Sequence, residues 1–225
     1  ITANPLCGKI SDILTALGAK TVLTEVPEMF GAETLLMGRA KNKEVFNEIV
    51  GLINDYKSYL LKYKQPIYEN PSPGNKEGGI TSLEDKSLGC IQKGGTAQVS
   101  GIIRDYGDKI KEDGLNLLIG PGNDIVSTTT LTASGAQMIL FTTGRGTPFG
   151  APVPTVKISS NTSLYERKKN WIDFNAGIIL DGTSFDQARD ILFDYILDLA
   201  SGKIKTKNEI IGFKEIGIFK DGVTF

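Results

Sequence analysis

The sequence contains no histidine. The commonest general base and the commonest catalytic metal ligand are therefore missing, and such chemistry falls to carboxylates, lysines, tyrosines or thiols. Cysteine is nearly absent too. Cys7 and Cys90 are too few for a disulfide framework, and neither belongs to a paired Cys-x-x-Cys pattern, so both are expected as free buried thiols. No stretch approaches the ~18 apolar residues that span a bilayer, and the start lacks the charged-then-apolar pattern of a signal peptide. The expected compartment is the cytosol, with no membrane partner, which leaves the acceptor pattern Asn161-Thr162-Ser163 without consequence. An excess of one charge is also lacking. With 25 Lys plus Arg against 26 Asp plus Glu, the net charge of −1 gives no field for a polyanion, and nucleic acid is not an expected partner.

What is present is an ordinary globular balance. Apolar residues make up 40% and charged residues 23% of 225 residues, enough for one large α/β domain. The chain opens Ile1-Thr2-Ala3-Asn4-Pro5 without a Met, the expected start of a fragment or processed product.

Periodicity places the elements. Apolar residues at 45, 46, 49, 52, 53, 56, 59, 60 and 63 follow one face of a helix. Thr81-Ser82-Leu83-Glu84 and Ser184-Phe185-Asp186-Gln187 have the form of capping boxes and predict helix starts. Short β-rich runs at 19–26, 97–103, 115–120, 137–142 and 153–158 predict strands, the third and fourth of the kind buried on both faces in parallel sheets. Strand and helix signals in alternation predict an α/β layered domain, with a mostly parallel sheet flanked by helices in a Rossmann-like arrangement. Residues 203–225 read as a polar connector and a terminal hairpin or arm.

Four segments carry candidate chemistry. "NPSPGNKEGG" (70–79) combines prolines that fix φ with glycines that permit φ > 0. It suits either a plain surface loop or an anion cradle, the latter because the helix expected from Thr81 points its free N–H groups back at Lys76. "FTTGRGTPFGAPVP" (141–154) holds Arg145 between Gly144 and Gly146 at a strand end. Its prolines forbid the helix that a dinucleotide-binding turn requires, leaving bidentate carboxylate capture or an exposed turn arginine. "TEVPEMFGAE" (24–33) gathers Glu25, Glu28 and Glu33 as candidate metal ligands or bases, with a helix-opening acidic turn as the alternative. "GPGNDIVSTTT" (120–130) reads as structural. In open α/β sheets the carboxyl edge of the strands is where ligands bind, and these strand assignments bring three of the four segments there.

Taken in order, "ITANP", "TEVPEMFGAE", "NPSPGNKEGG", "EDKSLGCIQKGGT" (84–96), "FTTGRGTPFG" and "NWIDFNAG" (170–177) resemble the C-terminal domain of the altronate and galactarate dehydratase family. "PEMFGAE" and "SSNTSLYERKKNWIDFNAG" are more similar to the altronate branch. The sulfolactate sulfo-lyase large subunit shares similar motifs and is the near alternative. A non-catalytic binding domain for an anionic metabolite is the alternative of another class.

The resemblance implies a catalytic domain over 1–202 with an arm over 203–225, and partner N-terminal and middle domains of the same enzyme. It leaves open whether copies form a homo-oligomer and whether the fragment is active alone. The implied reaction removes water from a sugar acid, altronate giving 2-keto-3-deoxygluconate, with a divalent metal, iron(II) in the altronate enzymes. The intermediate carries two negative charges on its carboxylate and needs positive charge nearby. On that reading Lys76, Glu28 and Arg145 are catalytic, and Asn70, Asn75, Thr81, Thr143 and Gly144 bind substrate. Glu25 and Glu33 then supply metal ligands, with others upstream of Ile1.

Overall fold

The computed structural model describes residues 1–67, 73–77 and 79–222. Its elements follow the order α1 (Ala3–Ala16), β1 (Lys20–Leu23), α2 (Glu33–Met37), α3 (Lys43–Lys62), α4 (Pro73–Glu77), α5 (Leu83–Ile91), β2 (Val99–Ile103), β3 (Gly114–Leu118), α6 (Asp124–Ala133), β4 (Ile139–Thr143), β5 (Thr155–Ser159), α7 (Thr162–Arg167), β6 (Phe174–Asn175), α8 (Phe185–Ala200) and α9 (Lys207–Ile211). The α/β layered class is as expected. The strands, however, divide into two parallel sheets of three, ordered β1-β3-β2 and β4-β5-β6.

The central strands β3 and β5 are buried along their whole length, β3 as its apolar run demands and β5 with Thr155, Lys157 and Ser159 among its buried residues. Helices cover both faces. Ile139 and Phe141 of β4 join Leu131 of α6 in one apolar cluster, while Leu140 joins Leu6 and Ile10 of α1 in another. Alternation along β4 therefore puts α1 and α6 on opposite sides of the strand layer. The helix α1 runs against the strands of both sheets. In its first turn the Thr2 hydroxyl donates to Ser160 O just past β5 (2.7 Å), and in its last the Thr15 hydroxyl meets that of Thr21 at the start of β1 (3.1 Å). The carboxyl ends of both sheets consequently face the same way.

Local signals set most helix boundaries. Asn42 caps α3 by accepting from Val45 N, and the stripe from Val45 to Leu60 is buried. The capping box at Ser184–Gln187 is formed at α8. That at Thr81–Glu84 is not: Ser82 is the cap, accepting from Asp85 N, while the Thr81 hydroxyl donates to the Asp85 carboxylate (2.9 Å). A cap one residue later leaves Thr81 outside the helix. The terminal segment forms α9 and then an extended arm, with no strand of a hairpin among its described residues. Asn208 anchors it by donating to Thr155 O (2.9 Å), and Glu215 N donates to Gly150 O (2.8 Å).

Candidate active site

The site starts from an unusual turn. After β1 the chain takes Glu25 through a left-handed conformation (φ 65°) into a 3₁₀ turn over Val26–Met29. A non-glycine residue there is costly unless the surroundings hold it. Val26 N donates to Gly120 O (3.0 Å), and Glu28 N donates to Glu25 O (2.8 Å). A side chain at Gly120 would collide with the Thr24 hydroxyl, so glycine lets the ends of β1 and β3 approach closely. The turn carries both Glu25 and Glu28 into one cleft.

Facing them, α5 and the 3₁₀ turn after it present Lys86, Cys90 and Lys93, at the i, i+4, i+7 spacing of one helix face. Glu28 accepts from Lys86 at one oxygen (3.2 Å) and from Lys93 at the other (3.1 Å), and Lys93 lies 3.8 Å from Glu25. These four side chains are only 15–21% exposed.

Their electrostatics diverge. Burial, then the Glu28 carboxylate, hold the Glu25 carboxyl well above the usual range, so it favours the protonated form. Burial acts on Glu28 in the same direction, but Lys93 and Lys86 outweigh it and keep Glu28 ionised, well below the ordinary value. Burial disfavours the charge on Lys93, yet Glu28, Cys90 and Glu25 together raise it above a free lysine. Burial and then Glu28 push the Cys90 thiol up to about 12, and burial does the same to Cys7. Both thiols are free, as expected, and neither is a ready nucleophile. Asp124, at the start of α6, is raised by burial and then by Glu28.

The cleft has a volume of about 1670 Å³ and runs along β1 and β4 from their starts to their carboxyl ends. Asn75, Thr143 and Gly144 line it with Glu25 and Glu28. Thr143 commits its hydroxyl to the following turn, accepting from Gly146 N (2.9 Å) and Arg145 N (3.3 Å). Trp171 and the buried Lys157 hold the outer side of that turn, donating to Gly146 O (3.2 Å) and Thr147 O (2.6 Å). Burial brings Lys157 down to about 8, against the opposing pull of Asp173 and Glu215.

The other expected residues lie elsewhere. Arg145 is exposed and pairs with Glu77 of α4 at 3.0 Å, which ties the two glycine-rich segments together. Lys76 and Thr81 are exposed and do not line the cleft. Asn70 lies outside the described residues. Glu33 opens α2 and pairs with Lys57 (2.7 Å), apart from the Glu25–Glu28 turn, because helix geometry points it at α3. Glu33 does not line the cleft that holds Glu25 and Glu28. Among the described residues no group of three or more acidic or thiol side chains converges to hold a metal ion. With Glu28 also occupied by two lysines, the donors among the described residues do not make a metal centre by themselves. Lys86, Cys90, Lys93 and Asp124 were not singled out as one site from the sequence, although the first three share one helical spacing.

Two parallel sheets with a largely buried ammonium–carboxylate cluster at their carboxyl edge define the class, an α/β domain with a charged cleft. Comparison with known proteins makes this specific. Residues 1–224 match the family model described as D-galactarate/Altronate dehydratase, C-terminal. The chain belongs to that family. It is 57% identical over 226 residues to an altronate dehydratase of Bacillus subtilis and 54% identical over 224 residues to that of Escherichia coli, covering 100% of this chain and 45% of each relative. The E. coli galactarate dehydratase (L-threo-forming) is 38% identical over 222 residues, covering 97% of this chain and 42% of that protein. The chain thus spans less than half the length of these relatives. No helix among the described residues is long and apolar enough to cross a membrane.

Proposed function

We propose that this chain is the C-terminal catalytic domain of a hydro-lyase that dehydrates a sugar acid, D-altronate before galactarate. The observation that carries the reading is the largely buried cluster in which Glu28 bridges Lys86 and Lys93, with Glu25 3.8 Å from Lys93. Relatives named altronate dehydratase, at 54–57% identity, support the preference for altronate.

Dehydration moves a proton from the carbon beside the carboxylate, expels the hydroxyl on the next carbon as water, and leaves an enol that tautomerises to a 2-keto acid. Developing charge on the carboxylate is met by the ammonium groups of Lys93 and Lys86, held in place by Glu28. Glu25, kept protonated by its surroundings, delivers the proton that turns the leaving hydroxyl into water. Two carboxyls three residues apart with opposite shifts are the pattern that separates an acid from an anion. Glu28, locked between two cations, is a weak base and serves to position them.

Asn75, Thr143 and Gly144 meet the substrate along the cleft, while Lys76 and Arg145 guard its rim. The group that accepts the first proton, and any ligands for iron(II) or another divalent ion, are assigned to the remainder of the enzyme.

The test is turnover by the full-length enzyme on altronate and galactarate, read as 2-keto acid formed. Formation from altronate, lost in Lys93→Met, is expected. A melting shift with sugar acids but no product would mark a binding domain instead.

A further inference from the structure

The cleft is larger than a site for a six-carbon acid needs, and its far end has a particular construction. Every residue from Ala19 to Glu25 and from Gln137 to Gly144 lines it. These are the edge strands of the two sheets: β1 pairs only with β3 and β4 only with β5 among the described residues. Both edges point the same way, since α1 runs antiparallel to the strands of both sheets. Their facing backbone groups have no ladder partner, although the strand layer here is roofed by α1 on one face and α6 on the other. Unpaired strand edges within a covered layer are unfavourable unless something satisfies them.

Each roofing helix also presents an orphaned hydroxyl to this space. Ser11 of α1 and Ser134 at the end of α6 are 7% and 1% exposed and line the cleft, and their hydroxyls find no hydrogen-bond partner among the described residues.

We infer that the space between β1 and β4 is the slot for a β-strand supplied by the part of the parent enzyme outside this chain, which fuses the two sheets into one continuous parallel-edged layer. Facing edges select an extended backbone over a small molecule, because only a strand satisfies both rows of N–H and C=O groups at once. Coverage on both sides selects a run of about five mostly apolar or small residues. A chain spanning 45% of its relatives leaves ample polypeptide to provide it. The inserted strand ends between Glu25 and Gly144, beside the Glu28–Lys93 pair, so it also delivers further groups of the enzyme to the cluster.

The experiment uses the full-length enzyme. Hydrogen exchange is followed at the amides of residues 20–23 and 139–143. Protection matching that of 115–118 and 156–158 is expected, and exchange typical of exposed edges overturns the proposal.

Direct pairing of β1 with β4 would also protect these amides, so strand separation is read independently. Two strand spacings put the edges about 9–10 Å apart, beyond the roughly 7 Å limit between Cα atoms for a disulfide. Cysteine pairs placed across them, such as Thr21→Cys with Leu140→Cys, are expected to stay reduced under oxidation, and a ready cross-link overturns the slot. Finally, a benzophenone side chain introduced at position 134 is photo-cross-linked and mapped. Attachment to a segment of the same polypeptide outside these 225 residues supports the inference. Attachment only within them, or to a second copy, overturns it.

Discussion

The carboxylate of Glu28 lies between the ammonium groups of Lys86 and Lys93, at 3.2 and 3.1 Å, and this bridge organises the charge of the cleft. Lys93 owes its raised affinity for the proton mainly to Glu28. Lys93→Met in the full-length enzyme is expected to lower kcat by about 10²–10³, the range for removing one preorganised partner of a developing oxyanion. Glu28→Gln is expected to lower kcat by at least about tenfold. It should also move the alkaline limb of the kcat/KM profile to lower pH, because Lys93 then releases its proton more readily. An unmoved limb would remove Glu28 from the role of positioning Lys93.

Glu25 yields a prediction about stability with a definite sign. Its carboxyl binds the proton more tightly folded than unfolded. Between the ordinary carboxylate range and its raised folded value the folded chain therefore holds more protons, and stability falls as pH rises through that window. Glu25→Gln removes this penalty. The variant is expected to melt at a higher temperature than the parent near neutral pH. The difference should vanish below the carboxylate range, and kcat should fall because the acid is gone. Thermal scans between pH 4 and pH 8, with parallel kinetics, check both halves.

How much of this could be read from residues alone follows the range of the interactions. Helices α3 and α8 were legible because their apolar stripes, and the capping box of α8, are contained within the elements themselves. Glu25 and Glu28 could be nominated because they stand three apart in one turn. Their partners Lys86 and Lys93 were within reach of the i, i+4, i+7 pattern, but only packing of α5 against the Glu25 turn reveals that the two sets meet. The split into two sheets was not legible. The "ILF" of β4 has the continuous apolar character of an interior strand, yet it stands at an edge. That mismatch is what a strand awaiting a neighbour shows. The left-handed turn at Glu25 depends on the fit of Gly120 against Thr24, a contact between strands distant in sequence.

Arg145 separates stability from catalysis. It is 71% exposed and its partner Glu77 is 76% exposed, so their pair contributes about 0–1 kcal/mol and is screened by salt. Arg145→Ala is expected to leave the melting temperature essentially unchanged while turnover in the full-length enzyme falls by at least about tenfold, because a charge at the rim of the cleft is lost. Turnover unchanged, with α4 released from the 141–154 segment, would make the pair merely a surface tie.

The terminal arm offers a test of the packing that supports the rim. Asn208 is buried, donates to Thr155 O at 2.9 Å, and follows Thr206, whose hydroxyl caps α9 in a formed capping box. Asn208→Ala leaves the carbonyl of the buried Thr155 without this donor, at a cost of about 1–3 kcal/mol. The arm also reaches Gly150, through Glu215, and Thr129, whose hydroxyl accepts from Gly217 N at 2.9 Å. Loosening its anchor therefore loosens the segment that carries Arg145. The expected result is a lower urea midpoint together with faster proteolysis in 203–222. The backbone of β5 should keep its exchange protection, since its ladder with β4 does not involve Asn208. Loss of protection throughout β4 and β5 would show instead that Asn208 supports the whole second sheet rather than the arm.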